Sequence, residues 1–220
     1  MYFCLRIDLD YVPWDTPDAE AFGHGEPAML LRLLDLARST GHRFHFFVSN
    51  RVLRAFPASA EAVLNDGHDL DWFCKHPVEG EQREKEALEL FENLGHKPEG
   101  LALKSAWPAD REHLIDLSPF RFVASLAGPS PKGVKHFVVE GRSARDAVRA
   151  GLTARTWTDS TKSLLREHAS RRKSLITAVR PQVLAKYDPR LHQVKEILDI
   201  AGAAGMPVQT LRQVLANESS

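Results

Sequence analysis

The amino-acid sequence predicts an α/β fold: a parallel sheet with helical crossovers. Three observations predict it. Short apolar runs alternate with amphipathic helical stretches along the chain, and that alternation calls for crossover connections between parallel strands. No Pro/Gly/Ser-rich linker, repeat or low-complexity tract interrupts it, so residues 1–220 read as one domain. The chain has 220 residues, 43% hydrophobic and 26% charged, which is enough to bury a single core.

The elements follow in order. Tyr2–Leu9 is an apolar run with an acidic end and is expected to be the first strand. Pro27–Ser39 is a helix: Met29, Leu30, Leu33, Leu34 and Ala37 recur at helical spacing, Pro27 suits the first turn, and Gly41 ends it. Arg43–Ser49 is a β-rich run bounded by Gly41 and Asn50. Ser59–Asn65 is a short helix, and Asp69–Leu70 a short strand after Gly67. Glu81–Leu94 is amphipathic, with Ala87, Leu88, Leu90, Phe91 and Leu94 on its apolar side. Gly100–Leu103, Phe120–Leu126 and Lys135–Val139 are strands. Thr158–Ala169 is a helix, Ser174–Val179 a strand, and Pro189–Ala204 a helix. Met206–Val208 is a last strand before a helix at Leu211–Ala216. Such a sheet closes into a small barrel or stays open. In both cases ligands bind beyond the carboxyl ends of the strands.

Composition excludes several classes. Lys+Arg and Asp+Glu are 29 each, so no net field attracts a polyanion, and no nucleic-acid partner is expected. No run approaches ~18 apolar residues, so no membrane span is expected. The N-terminal run lacks the marks of a signal peptide, and Cys4 and Cys74 cannot frame a disulfide scaffold. The expected location is cytoplasmic, with reduced thiols.

Two segments carry candidate chemistry. The first strand ends Arg6-Ile7-Asp8-Leu9-Asp10, and alternation puts Asp8 and Asp10 on one side. Such a pair can divide the tasks of metal ligand and proton acceptor, or simply be a solvated strand end. The second segment, Gly67 to Pro77, gathers His68, Asp69, Asp71, Cys74 and His76, all of metal-ligating type. Trp14 and Trp107 fall in loops expected on the ligand face, where each could stack on a sugar or pack in the core. His42, His96, His113, His136, His168 and His192 read as surface residues in turns or on helix faces.

These segments resemble the polysaccharide deacetylase family, the NodB-homology or carbohydrate esterase 4 group. Asp8-Leu9-Asp10 resembles its Asp-x-Asp strand end. Phe44-His45-Phe46-Phe47-Val48 resembles its second strand, and Gly67-His68-Asp69-Leu70 through His76-Pro77 its histidine motif. Leu103-Lys104-Ser105-Ala106-Trp107-Pro108 stands for its Arg-x-Pro segment, and Arg180-Pro181 follows the strand that ends in His-Pro in the family. The resemblance spans nearly the whole chain. It implies a distorted, incomplete (β/α) barrel of the glycoside hydrolase/deacetylase type. It also implies a hydrolase of non-peptide C–N bonds: a metal-dependent deacetylase of an N-acetylated sugar or related small amide. Asp8 would be the base, Lys104 and Arg180 would occupy the other catalytic positions, and Trp14 and Trp107 would contact substrate. The implied cofactor is a divalent metal, zinc above others, held by Asp10 and His76 with Asp71 or Cys74. His45 and His24 are further possible ligands. The implied partner is a small-molecule or glycan substrate.

The departures from the pattern are specific. The first motif histidine is replaced by Trp72 or Phe73, depending on register. Arg180 stands where the general-acid histidine would be, and an arginine stays protonated at neutral pH. Lys104 keeps the charge of the motif arginine and loses its fork. The second expectation is therefore a catalytically inactive barrel that binds a carbohydrate, metabolite or partner in the same cleft. A third is a metal-independent enzyme using Asp8 or Asp10 as base.

Overall fold

Strand β1 (Phe3–Leu9) is buried along its whole length, as a strand covered on both faces must be. The computed structural model describes residues 1–11, 25–74, 80–108, 115–140 and 154–218. Helix α1 (Glu26–Thr40) buries Met29, Leu30, Leu33, Leu34 and Ala37, the apolar stripe its spacing predicts. Gly41 closes it at φ +69°, a left-handed conformation that costs a glycine little. Next come β2 (His45–Val48), α2 (Asn50–Ala55), α3 (Pro57–Asn65), β3 (Asp69–Cys74) and α4 (Gly80–Asn93). Then follow β4 (Gly100–Ala106), β5 (Phe122–Leu126), β6 (Lys135–Val139) and α5 (Ala154–Ser170). The chain ends with β7 (Leu175–Val179), α6 (Pro181–Tyr187), α7 (His192–Ala203) and α8 (Leu211–Glu218).

The seven strands are ordered β6-β5-β4-β3-β2-β1-β7. The pairs β1–β7, β3–β4, β4–β5 and β5–β6 are parallel. This is the predicted α/β class, a seven-stranded incomplete (β/α) barrel with β6 and β7 as its end strands.

The chain folds into two compact units interleaved in sequence. One holds Met1–Ile7, Tyr11–His45 and Gly141–Ser220; the other holds Asp8–Asp10 and Phe46–Glu140. In the first, β1 lies beside β7, with Phe3 against Leu175 and Ile7 against Val179. His45 is fully buried, and its Nδ1 accepts the Leu211 amide N–H at 3.0 Å. His168 is also buried, with Nδ1 bonded to the Ser174 carbonyl at 2.8 Å. In the second, Phe122 meets Phe47 and Phe137 edge-on at 6.4 and 5.5 Å. A Cβ on Gly100 would sit 2.0 Å from the Phe122 ring, so the strand and ring can approach only because that position is glycine.

Several elements differ from the sequence-based expectation. Helix α2 starts at Asn50, where the sequence marks only a strand boundary, and α6 starts at Pro181, in a stretch where the sequence marks no element. Both are too short to show a periodic stripe. Strand β3 runs on to Cys74 rather than stopping at Leu70. It is buried throughout and therefore lacks alternation. Met206–Val208 contributes an isolated bridge, Phe3 to Val208, rather than a strand.

Candidate functional site

Three strand ends of the second unit build the site. Asp10 lies one residue past β1, and the Leu9 carbonyl accepts the Ser49 amide N–H at 3.0 Å. That bond sets Asp10 beside the first turn of α2. There Arg51 Nη2 donates to Asp10 Oδ1 at 2.5 Å. The Asp10 side chain is 3% exposed and that of Arg51 37%. Next to them, Trp72 Nε1 donates to Asn50 Oδ1 at 2.7 Å, and Asn50 Nδ2 donates to the Arg83 carbonyl and to Glu86 Oε2, at 2.7 and 3.0 Å. Asn50 thereby ties β3 to α4. Trp72 also stacks on Phe120, with ring centroids 5.9 Å apart.

A cavity of ≈ 200 Å³ opens among these groups. Its walls are Asp10, Ser49, Asn50, Arg51, Trp72, Phe73, Cys74 and Arg83. The Ser49 hydroxyl and the Arg51 Nε–H are shut off from solvent and have no hydrogen-bond partner. A buried donor without an acceptor costs stability, so each such group calls for an explanation.

The structure brings only some of the predicted residues together. Asp10 and Cys74 line the same cavity. Asp8 is buried in β1, 4% exposed, and Lys104 is half-buried in β4; neither lines that cavity. Arg180 is buried directly after β7, at the start of α6. Trp14, His76 and His24 lie outside the described residues.

The structure gives several of these side chains partners or burial of their own. Asp71 is not a wall of the cavity: its Oδ1 accepts the amide N–H groups of Glu99 and Gly100 at 2.7 and 3.0 Å, leading into β4 at the other end of the sheet. His45 serves the Leu211 amide. Trp107 is 2% exposed, so its ring packs inside rather than facing solvent, and its Nε1 has no partner. His96 and His168 are not simple surface residues: His96 Nε2 bonds the Leu70 carbonyl at 2.8 Å, and His168 is buried. Sequence reasoning missed Ser49, Asn50, Arg51 and Arg83. The first three directly follow β2, the position that the strand-end rule marks.

Among the described residues the donor set does not by itself make a catalytic metal site. Among the described residues no three of His, Cys, Asp and Glu converge. The Asp10 carboxylate carries a guanidinium, and aromatic side chains stand at both positions the first motif histidine could take. Catalytic zinc asks for three protein ligands. No step is therefore routed through a metal.

No family model and no curated protein matches the sequence. Solved structures do match. One described as a polysaccharide deacetylase, from Mycobacterium smegmatis, superposes with a TM-score of 0.77 over 98% of this chain and 89% of its own, at 14% identity. The chain has the polysaccharide deacetylase fold. The Puue allantoinase shares that fold, with a TM-score of 0.72 at 13% identity, over 98% of this chain and 89% of its own. So does a CE4 family pseudoenzyme from Bacillus anthracis, with a TM-score of 0.61 at 12% identity, over 97% of this chain and 65% of its own. At such identities the likeness is one of fold. The deacetylase fold thus occurs in proteins described as enzymes and in one described as a pseudoenzyme.

Proposed function

We propose that this protein is a divergent member of the polysaccharide deacetylase family that keeps the fold and the strand-end cleft and has given up metal-dependent hydrolysis. It binds a small carbohydrate or metabolite there. The observation that carries this reading is the Arg51–Asp10 ion pair. In the family pattern the second strand-end aspartate holds a divalent cation; here a guanidinium holds that carboxylate. Two further features support the reading. Neither residue at the first histidine position can ligate a metal, and Arg180 cannot donate a proton as a histidine would. The occurrence of this fold in a pseudoenzyme agrees with the general rule that fold does not dictate function.

The alternative is the active metal-dependent deacetylase, a hydrolase of an N-acetylated sugar or small amide, with Asp8 as base. The specific observation in its favour is Asp8 itself, present at the motif position and buried. The two readings separate in one assay. Acetate release from N-acetylglucosamine oligomers is followed with added zinc, cobalt or nickel. The proposal predicts no release above the Asp8→Asn background. Metal-stimulated release that vanishes in Asp8→Asn would establish the alternative. A cytoplasmic location belongs to the proposal, and fractionation tests it. Among the described residues no helix is long and apolar enough to cross a membrane.

A further inference from the structure

The first compact unit carries a surface groove of ≈ 570 Å³ between α1 and the turn that joins α6 to α7. That is the scale of a small-ligand site. Its charges are unevenly matched. Asp35 is met by Arg38 on its own helix at 2.8 Å, and the Ser39 hydroxyl donates to the Leu36 carbonyl at 2.9 Å. Arg32 is exposed, and one Nη donates to the Pro189 carbonyl, a neutral acceptor. Arg190 is exposed and makes no hydrogen bond or ion pair among the described residues. Two guanidinium groups thus line one groove, open to solvent, and neither has a carboxylate partner among the described residues.

The turn that carries Arg190 is tied on both sides. Asp188 is buried; its Oδ2 accepts the Gln193 and Val194 amide N–H groups at 3.0 and 3.1 Å, and its carbonyl accepts the Leu191 amide N–H at 2.9 Å. Leu191 is buried and left-handed at φ +55°, a conformation that costs a non-glycine residue and persists only where its surroundings impose it. Pro189 brings a fixed φ of its own. Arg190 therefore extends from an ordered backbone, and preorganisation lowers the cost of binding.

We infer that this groove is a second binding site, which takes a small organic phosphate: the phosphate meets the Arg32 and Arg190 guanidinium groups, and the organic part lies against Leu36 and Pro189. A phosphate monoester carries nearly two negative charges at neutral pH, which matches two guanidinium groups, and its oxygens suit their planar forks. The site is independent of the strand-end cavity, whose walls all belong to the second unit.

Phenyl phosphate and benzyl alcohol, one aromatic ring with and without the charge, test it by calorimetric titration into the intact protein at two ionic strengths. Phenyl phosphate is expected to bind with a Kd of about 1 mM or lower, about tenfold or more tightly than benzyl alcohol, and to weaken with salt. Arg190 holds no other residue in place, so Arg190→Ala is expected to leave the thermal unfolding midpoint unchanged while weakening phenyl phosphate about tenfold. Arg32→Ala is expected to weaken it as well. Arg190→Lys recovers only part of the affinity, because the charge returns without the fork. No saturable binding of phenyl phosphate, benzyl alcohol binding as tightly, or an affinity unchanged in both Arg32→Ala and Arg190→Ala would each overturn the inference.

Discussion

Two aspartates of the same compact unit, Asp10 and Asp71, are buried in opposite manners. Asp71 is fully buried and held by two backbone amides at the entry to β4. Asp10 is buried at the carboxyl ends of the strands, and its carboxylate meets a side chain, that of Arg51, which is itself 37% exposed. Backbone amides cannot leave, so Asp71 is part of the architecture. A guanidinium on a long, partly exposed stem can shift. Equal burial of two carboxylates therefore says little. What satisfies each charge separates structure from site.

The largest expected effect is at Asp71. Removing it in Asp71→Ala orphans the Glu99 and Gly100 amides, and urea denaturation is expected to show a loss on the order of 3 kcal/mol. Asp10→Asn is expected to cost under about 1 kcal/mol in the same experiment, because Arg51 can turn to solvent. Equal losses at the two positions would break the comparison. Trp72→Phe should fall between them, about 1 kcal/mol, since it strands Asn50 Oδ1 beside the cavity while keeping the stack on Phe120.

A smaller effect is set by pH. Burial lowers the pKa of His136 on β6, where its imidazole also meets the Ser125 and Ser130 hydroxyls at 2.8 and 3.2 Å. The unfolded chain then binds the proton more readily than the folded one. His136 thus contributes stability above the ordinary histidine range, and that contribution is lost as pH falls through its lower folded value. Chemical denaturation between about pH 7.5 and pH 5.5, one unit either side of the ordinary value, is expected to show stability falling as pH falls. His136→Gln should flatten that slope. The smallest effect is at Arg121–Glu99, an exposed pair at 2.7 Å, where Arg121→Ala is expected to change stability by no more than about 0.5 kcal/mol.

The same contrast explains what could be read from sequence alone. Long periodic elements such as α1, and apolar runs such as β6, were legible because burial imposes a pattern on residue types. The short helices α2 and α6 were not, since six or seven residues carry too little periodicity. Asp10 and Cys74 stood out in the sequence as candidate metal ligands, and both line the cavity. The two amides on Asp71 were not legible, because a metal-ligating residue type looks the same in sequence whether it faces a cleft or a pair of backbone amides. Arg51 was missed for the converse reason. An arginine after a strand is common, and only the three-dimensional approach of Ser49 to Leu9 sets it on Asp10.

The account turns on whether Asp10 belongs to a guanidinium or to a metal ion. Zinc titrated calorimetrically into the metal-free protein, with Asp10→Asn alongside, decides that most directly. The account predicts no stoichiometric zinc binding that depends on Asp10. One equivalent of zinc bound by the wild type and lost in Asp10→Asn would contradict it.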